Sequence, residues 1–188
     1  MMREHWPVRV MLTVIVSTRD SERALVHTLA ALVPGATAGV VREVIVADGG
    51  SRDETEQVAD IAGCVFLSSG QSLGARLNAA AERARGDWLM FLAAGVVPGP
   101  NWIEDTAAFV QNDGQAAVFS LTPIGLSGRL RRLFAALPDN KQGLIIRKAF
   151  YAQLGGHRAD VDPERDLLRR IGRSRLTVLR APISRSSI

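Results

Sequence analysis

A chain of 188 residues, 47% hydrophobic and 22% charged, has the size and composition of one globular domain that buries a core without disulfide or metal staples. Cys64 is the lone cysteine and His5, His27 and His157 are scattered, which excludes an internal disulfide and argues against a cysteine- or histidine-based metal centre, so no metal ligands are assigned. The net charge of +4 hides an asymmetry: residues 1–128 carry 9 basic and 14 acidic side chains, and residues 129–188 carry 14 and 5. The cationic C-terminal third points to phosphate-bearing partners, a nucleotide diphosphate or an anionic lipid headgroup, with a plain solvated basic face as the alternative. Nucleic acid is not expected, because aromatic residues are 5% of the chain and none interleave the basic stretches as base-stacking platforms would.

The N-terminus lacks the apolar core and small-residue cleavage site of a signal peptide. Val8 to Val16 reads as a first strand and Ser17 to Ser21 as its loop. Glu22 to Val33 has apolar residues at helical spacing and is expected to stop at Pro34-Gly35. Val41 to Ala47 is a second strand and Asp53 to Ala62 a second helix. Cys64 to Leu67 is a short third strand, with Cys64 a small apolar residue at its edge. Leu73 to Arg85 is a third helix. Trp88 to Leu92 is apolar throughout and therefore central. The stretch from Trp88 to Pro98 is nonetheless too short for the roughly 20 residues that span a bilayer, so a cytoplasmic protein is expected, at most peripheral on the inner face of a membrane. A helix from Pro100 or Asn101 to Gln111 and a strand from Ala116 to Leu121 follow. Ser127 to Leu137 reads as an amphipathic basic helix, Gly143 to Ile146 as a strand, Arg147 to Leu154 and Pro163 to Ile171 as helices, and Leu176 to Leu179 as a last strand before a frayed tail. Strands alternating with helices define an α/β domain, a mostly parallel sheet with helices on both faces.

The stretch Val44 to Thr55, Val-Ile-Val-Ala-Asp-Gly-Gly-Ser-Arg-Asp-Glu-Thr, concentrates the functional signal. Three consecutive β-branched residues form a strand covered on both faces, and the glycines permit a sharp turn into a helix that Ser51 or Asp53 can cap. Ligands of open α/β sheets collect where loops leave the carboxyl ends of strands, which puts Asp48 at a crevice mouth. Asp48 and Ser51 could equally serve only to satisfy backbone N–H groups of the turn. If Asp48 reads a ligand, its removal weakens binding and leaves the fold intact.

In order, these loops resemble a family 2 glycosyltransferase of the GT-A fold, in its small bacterial form. The pieces are Val-Ile-Val-Ser-Thr-Arg at 14–19, the stretch at 44–55, Gly74-Ala-Arg-Leu-Asn78, Ala84-Arg-Gly-Asp-Trp-Leu-Met-Phe-Leu92, Gln142-Gly-Leu-Ile-Ile-Arg-Lys148 and Leu154-Gly-Gly156. The resemblance implies one domain over 1–188: a nucleotide-binding half at 7–122, an acceptor-side half at 123–182 and a tail at 183–188. It implies transfer of a sugar from a nucleotide-diphosphate sugar, a divalent manganese or magnesium ion, and an acceptor that could be lipid-linked. Ser17, Thr18, Arg19, Asp48, Gly49, Arg76 and Asn78 would line the donor pocket, Asp48 bonding the nucleoside. Glu164, with Asp162 and Asp166 behind it, would be the base that deprotonates the acceptor; each could instead be a carboxylate favoured at a helix N-terminus.

The departure is at Ala93, Ala94 and Gly95, where the resembled family has an Asp-x-Asp or His-Ala-Asp whose last carboxylate holds the metal. Ala94 and Gly95 fall at the donor site without a ligand to offer. Either catalysis is lost in a silent nucleotide-binding or scaffold relative, or a cation replaces the metal, with Arg147, Lys148 and Arg158 as the expected groups.

Overall fold

The computed structural model describes residues 11–121, 142–159 and 162–186. The basic helix expected over 127–137 lies outside them. The elements in chain order are β1 (Leu12–Thr18), α1 (Glu22–Thr37), β2 (Val41–Asp48), α2 (Thr55–Ile61), β3 (Val65–Ser68), α3 (Leu73–Arg83), β4 (Trp88–Ala93), β5 (Val96–Pro98), α4 (Trp102–Gln111), β6 (Ala116–Ser120), β7 (Leu144–Arg147), α5 (Lys148–Gln153), α6 (Pro163–Ile171), a 3-10 turn (Arg173–Arg175) and β8 (Leu176–Arg185). The strands run β3-β2-β1-β4-β7-β6-β8-β5 across one sheet.

Alternating side chains of the central strands build two cores. Val14 and Val16 of β1 with Met90 and Leu92 of β4 face α1, α2 and α4 through Leu25, Leu32, Ala59, Trp102 and Phe109. Ile15, Ile45, Leu89 and Phe91 face α3, α5 and α6 through Leu77, Ala81, Phe150, Leu167 and Ile171. Because both faces are covered, β4 reads in sequence as an unbroken apolar run and β1 as one interrupted by Thr13 before its polar end at Ser17 and Thr18, and the period-2 alternation appears only in which helices each residue meets.

Three local readings differ from the structure. The first helix does not stop at Pro34-Gly35 but runs to Thr37. Pro34 gives up one helical N–H, and Gly35 is there for packing: a Cβ on it would stand 2.5 Å from the Trp102 ring. The turn comes instead at Gly39, with φ of +73°. β7 runs antiparallel between β4 and β6, inside a sheet that is parallel from β3 to β4. The end of the chain is not frayed through Arg185: β8 pairs with β6 and then carries on to pair with β5, Val96 opposite Arg185 and Pro98 opposite Ile183. Among the described residues no helix is long and apolar enough to cross a membrane.

Candidate functional site

Strand register brings together the loops expected to line a donor pocket. Thr18 lies beside Asp48, Ser17 beside both Ala47 and Ala93, and Asp48 beside Ser68, so β1, β2, β3 and β4 all finish at one edge of the sheet. Asp48 is buried, 1% exposed. Its Oδ1 accepts from the Thr18 hydroxyl at 2.8 Å and from the Ser51 hydroxyl; its Oδ2 accepts from the N–H groups of Gly50 and Ser51, each at 2.8 Å, and from the Ser68 hydroxyl at 2.9 Å. Burial pushes this carboxyl up, but the bonds from Ser51, Thr18 and Ser68 outweigh it and bring the pKa down to about 2. Both oxygens are thus occupied by protein donors, and Asp48 ties three strand ends together.

The neighbouring loops mesh through further short polar side chains. Ser51 Oγ accepts from Asp20 N at 2.8 Å, Asp20 Oδ1 from Arg52 N at 2.8 Å, Asp53 Oδ2 from Glu22 N at 3.0 Å, and Thr55 Oγ1 from Ser21 N at 3.0 Å. Neither Ser51 nor Asp53 is the N-cap residue of α2; that position is Glu54, whose side chain makes no capping bond. Arg76 reaches from α3 across the strand ends, its Nη1 donating to Ala47 O at 2.8 Å and Thr18 O at 3.2 Å. Its guanidinium lies against Gly49, where a Cβ would come within 3.0 Å of Nη1. Burial lowers the Arg76 pKa; the Asp48 charge opposes the shift and the nearby Arg19 adds to it. Ser17 is half-buried and Arg19 exposed.

Ala93 ends β4 beside Ser17, and Ala94 and Gly95 form the turn from β4 to β5. Ala94 N donates to Ser17 O at 3.0 Å, and Gly95 N lies 2.9 Å from the Thr28 hydroxyl and 3.1 Å from Ala24 O. Gly95 O accepts from Ser186 N at 2.9 Å, so the residue just past β8 extends its pairing with β5 to this turn. Gly95 has φ of +85°, the left-handed region that disfavours a side chain.

On the α3, α5 and α6 side, a small pocket is lined by Phe91, Val118, Gly143, Leu144, His157 and Glu164, with Leu168 behind. Of the three carboxylates expected as a base, Glu164 is the one that lines it. Asp162 caps α6, accepting from Arg165 N at 3.1 Å, and Asp166 pairs with Arg170 at 2.8 Å. Arg170 also donates to Leu154 O and to Gly156 O at 2.7 Å, fixing the Gly155-Gly156 turn against α6. Asn78 belongs to this side as well: its Oδ1 lies 3.3 Å from the Tyr151 hydroxyl and its Nδ2 donates to Glu82 at 3.0 Å. The Tyr151 hydroxyl accepts from His157 N and lies 2.9 Å from His157 Nδ1. Burial and then the Arg170 charge lower the His157 pKa to about 3, so the ring is neutral; burial raises Tyr151 to about 12. Tyr151 and His157 were not among the residues singled out from sequence; the signal was His157 directly after Gly155-Gly156.

Arg147 is displaced from the site. It pairs with Trp88 at the first residue of β4 and stacks its guanidinium 5.7 Å over that ring, five residues and roughly 16 Å along the strand from Ala93. Lys148 lies at the same far edge, its N donating to Asp87 O and its Nζ to Ala84 O. An antiparallel β7 carries both residues away from the crevice. Arg158 is on the crevice side, exposed, with its backbone carbonyl packed on Gly74 at the start of α3.

A sheet with helices on both faces, whose loops gather over the carboxyl ends of β1, β2 and β4, is the frame of the GT-A glycosyltransferases. The glycosyl transferase family 2 model matches residues 13–159, and the chain belongs to that family. Among solved structures it is similar to residues 1–349 of Staphylococcus aureus TarS, with TM-score 0.69 and 19% identity over 89% of this chain and 57% of that one. It is similar to glucosyl-3-phosphoglycerate synthase from Mycobacterium tuberculosis in complex with Mn2+, UDP and glucosyl-3-phosphoglycerate, with TM-score 0.65 and 18% identity over 95% and 72% of the two chains. It is also similar to the mannosyltransferase PcManGT from Pyrobaculum calidifontis in complex with GDP-Man and Mn2+, with TM-score 0.70 and 17% identity over 94% and 56%. The chain therefore spans little more than half of TarS 1–349 and of the mannosyltransferase. Among curated proteins no sequence gives a significant match.

Two of these neighbours hold Mn2+. Here the residues do not fit such an ion. Ala93, Ala94 and Gly95 bring no oxygen-bearing side chain, the Gly95 carbonyl is bonded to Ser186 N, and no group of three His, Cys, Asp or Glu among the described residues could hold a metal.

Proposed function

We propose that the chain binds a nucleoside diphosphate sugar over the ends of β1, β2 and β4 and transfers the sugar to an acceptor hydroxyl. The observation that carries this reading is the register that gathers Ser17, Thr18, Asp48 and Ala93 at one sheet edge in a chain of this family. Base and ribose would lie against Ser17 to Arg19, Gly49 and Arg76. Asp48 would act as a positioning residue, ordering the loops that touch the nucleoside. Glu164, in the pocket beside Phe91 and Leu144, would take the acceptor hydroxyl's proton. That oxygen would then bond to the anomeric carbon as the carbon–oxygen bond to the diphosphate breaks, the electron pair leaving with the nucleoside diphosphate. The excess of basic residues over 129–188 supports an acceptor that carries phosphate, free or lipid-linked.

A silent relative that binds nucleotide without turnover is the second reading, favoured by Ala93, Ala94 and Gly95. A thermal-shift panel of UDP- and GDP-sugars tests both, since a ligand at 100 times its Kd raises stability by about 2.7 kcal/mol. A rise with at least one nucleotide sugar supports the reading, and slow release of free sugar from that donor separates transferase from silent binder. No rise with any nucleotide would overturn both.

A further inference from the structure

The crevice, where no three His, Cys, Asp or Glu among the described residues could hold a metal, has arginines at its mouth. Arg19 follows β1 directly, Arg76 lies flat under Gly49, and Arg158 follows the Gly155-Gly156 turn with its backbone packed on Gly74, two residues before Arg76. None of the three has an ion pair among the described residues, whereas Arg85, Arg169 and Arg170 are each paired with a carboxylate. Arg76 is the most constrained. It donates to two backbone carbonyls, and its Nε is buried with no hydrogen-bond partner, an unmade bond that proteins rarely tolerate in a finished site. The one carboxylate close enough to affect it, Asp48, already accepts from five protein donors. The Asp48 charge offsets part of that of Arg76 from a distance, but no carboxylate bonds to Arg19, Arg76 or Arg158 among the described residues.

Among the described residues, the opposite side of the mouth offers no side-chain ligand for a metal. Gly95 has its N–H and its carbonyl bonded within the fold. A side chain there would start from a φ of +85° and point at Ala24 Cβ, 3.4 Å away, and Ser186 Oγ, 3.5 Å away. Ser186 Oγ is itself buried and without a partner among the described residues.

Resting on the nucleotide-sugar reading above, we infer that the donor diphosphate is held by Arg19, Arg76 and Arg158 in place of a divalent metal. Guanidinium groups match phosphate oxygens in pairs and carry a permanent charge, and such charge strengthens its grip as the diphosphate leaves.

Isothermal titration with UDP, GDP, uridine and guanosine tests this, each run in EDTA and in excess MnCl2. The expected result is that at least one diphosphate binds tighter than its nucleoside by tenfold or more, and that adding Mn2+ changes this affinity less than threefold. Arg158→Gln should reduce diphosphate affinity by threefold or more and leave nucleoside affinity unchanged, and Arg19→Gln should reduce diphosphate affinity by at least threefold more than it reduces nucleoside affinity; both residues are exposed, so the variants keep the fold. Arg76→Gln should reduce both. A tenfold or larger gain from Mn2+ would overturn the inference while leaving the nucleotide reading in place. Full retention of the diphosphate advantage in both exposed variants would also overturn it. Absence of binding by every nucleotide and nucleoside, in either condition, would remove the nucleotide reading and this inference together.

Discussion

Thr18 and Asp48, at matching positions in adjacent parallel strands, are joined by a 2.8 Å bond from the Thr18 hydroxyl to Asp48 Oδ1. That bond is one of five converging on a carboxylate with almost no exposed surface. Asp48→Ala would leave two backbone N–H groups and three hydroxyls to find new partners. Bonds to charged groups contribute about 1.5–3 kcal/mol each, part of which relaxation and water recover, so a loss of about 3 kcal/mol is predicted by chemical denaturation, with Asp48→Asn losing less. This departs from the expectation that Asp48 can be removed with the fold intact. A stability change within 0.5 kcal/mol of zero would show that the loops hold without it.

Acid should weaken the fold in two stages. The folded His157 pKa is about 3, below its usual 6.5, so on acidification the unfolded chain takes up this proton first. The stabilisation is complete above pH 6.5 and is lost as pH falls toward 3. Asp48 behaves the same way lower down: its stabilisation is complete above 3.8 and declines as pH falls to about 2. Each pKa unit corresponds to about 1.4 kcal/mol, so the His157 contribution should fall by roughly 3 kcal/mol between pH 6.5 and 4. His157→Gln should flatten that part of the profile, and denaturant melts across the range check it.

Gly35→Ala tests why α1 passes through a Pro-Gly pair. The added methyl would sit 2.5 Å from Trp102 Cη2 and 3.0 Å from a Val41 methyl. Overpacking of this kind costs about 1–3 kcal/mol. Thermal unfolding should show a clear drop in Tm, although alanine is the better helix former.

Much of the fold is legible in the residues. Val44 to Val46 and Trp88 to Leu92 announce buried strands because both faces are covered, and Ser72 ahead of α3 and Asp162 ahead of α6 are caps in place. What escapes the sequence depends on distant partners. Gly35 looks like a helix stop until Trp102 is seen packed on it. Arg147 and Lys148 look like crevice residues because strand periodicity carries no direction; the antiparallel pairing of β7 with β4 reverses them. The donors to Asp48 from Thr18 and Ser68 come from strands 30 and 20 residues away, so its full occupancy was invisible, whereas the Gly50 and Ser51 bonds are those of a turn and could be read.

The division of labour among the late carboxylates gives a kinetic prediction. Glu164→Gln should lower kcat for sugar transfer by about 10²–10⁴ with donor affinity unchanged, the range for loss of a general base. Asp162→Asn, which keeps a capping oxygen, should leave kcat within about threefold. Equal losses in both variants would mean that α6 positions the pocket and supplies no base.

The central claim is that a nucleoside diphosphate sugar sits over the ends of β1, β2 and β4. Hydrogen exchange read by mass spectrometry, with and without a saturating nucleotide sugar chosen from the thermal-shift panel, tests it most directly. Slowed exchange at the three loops 17–21, 47–52 and 74–78, together with the β4 end at 93–95 and the Arg158 turn at 155–159, and nowhere else, is the predicted result. Protection centred instead on the acidic surface of α2 and β3, around Glu56, Asp60 and Phe66, or no protection at the three loops, would contradict it.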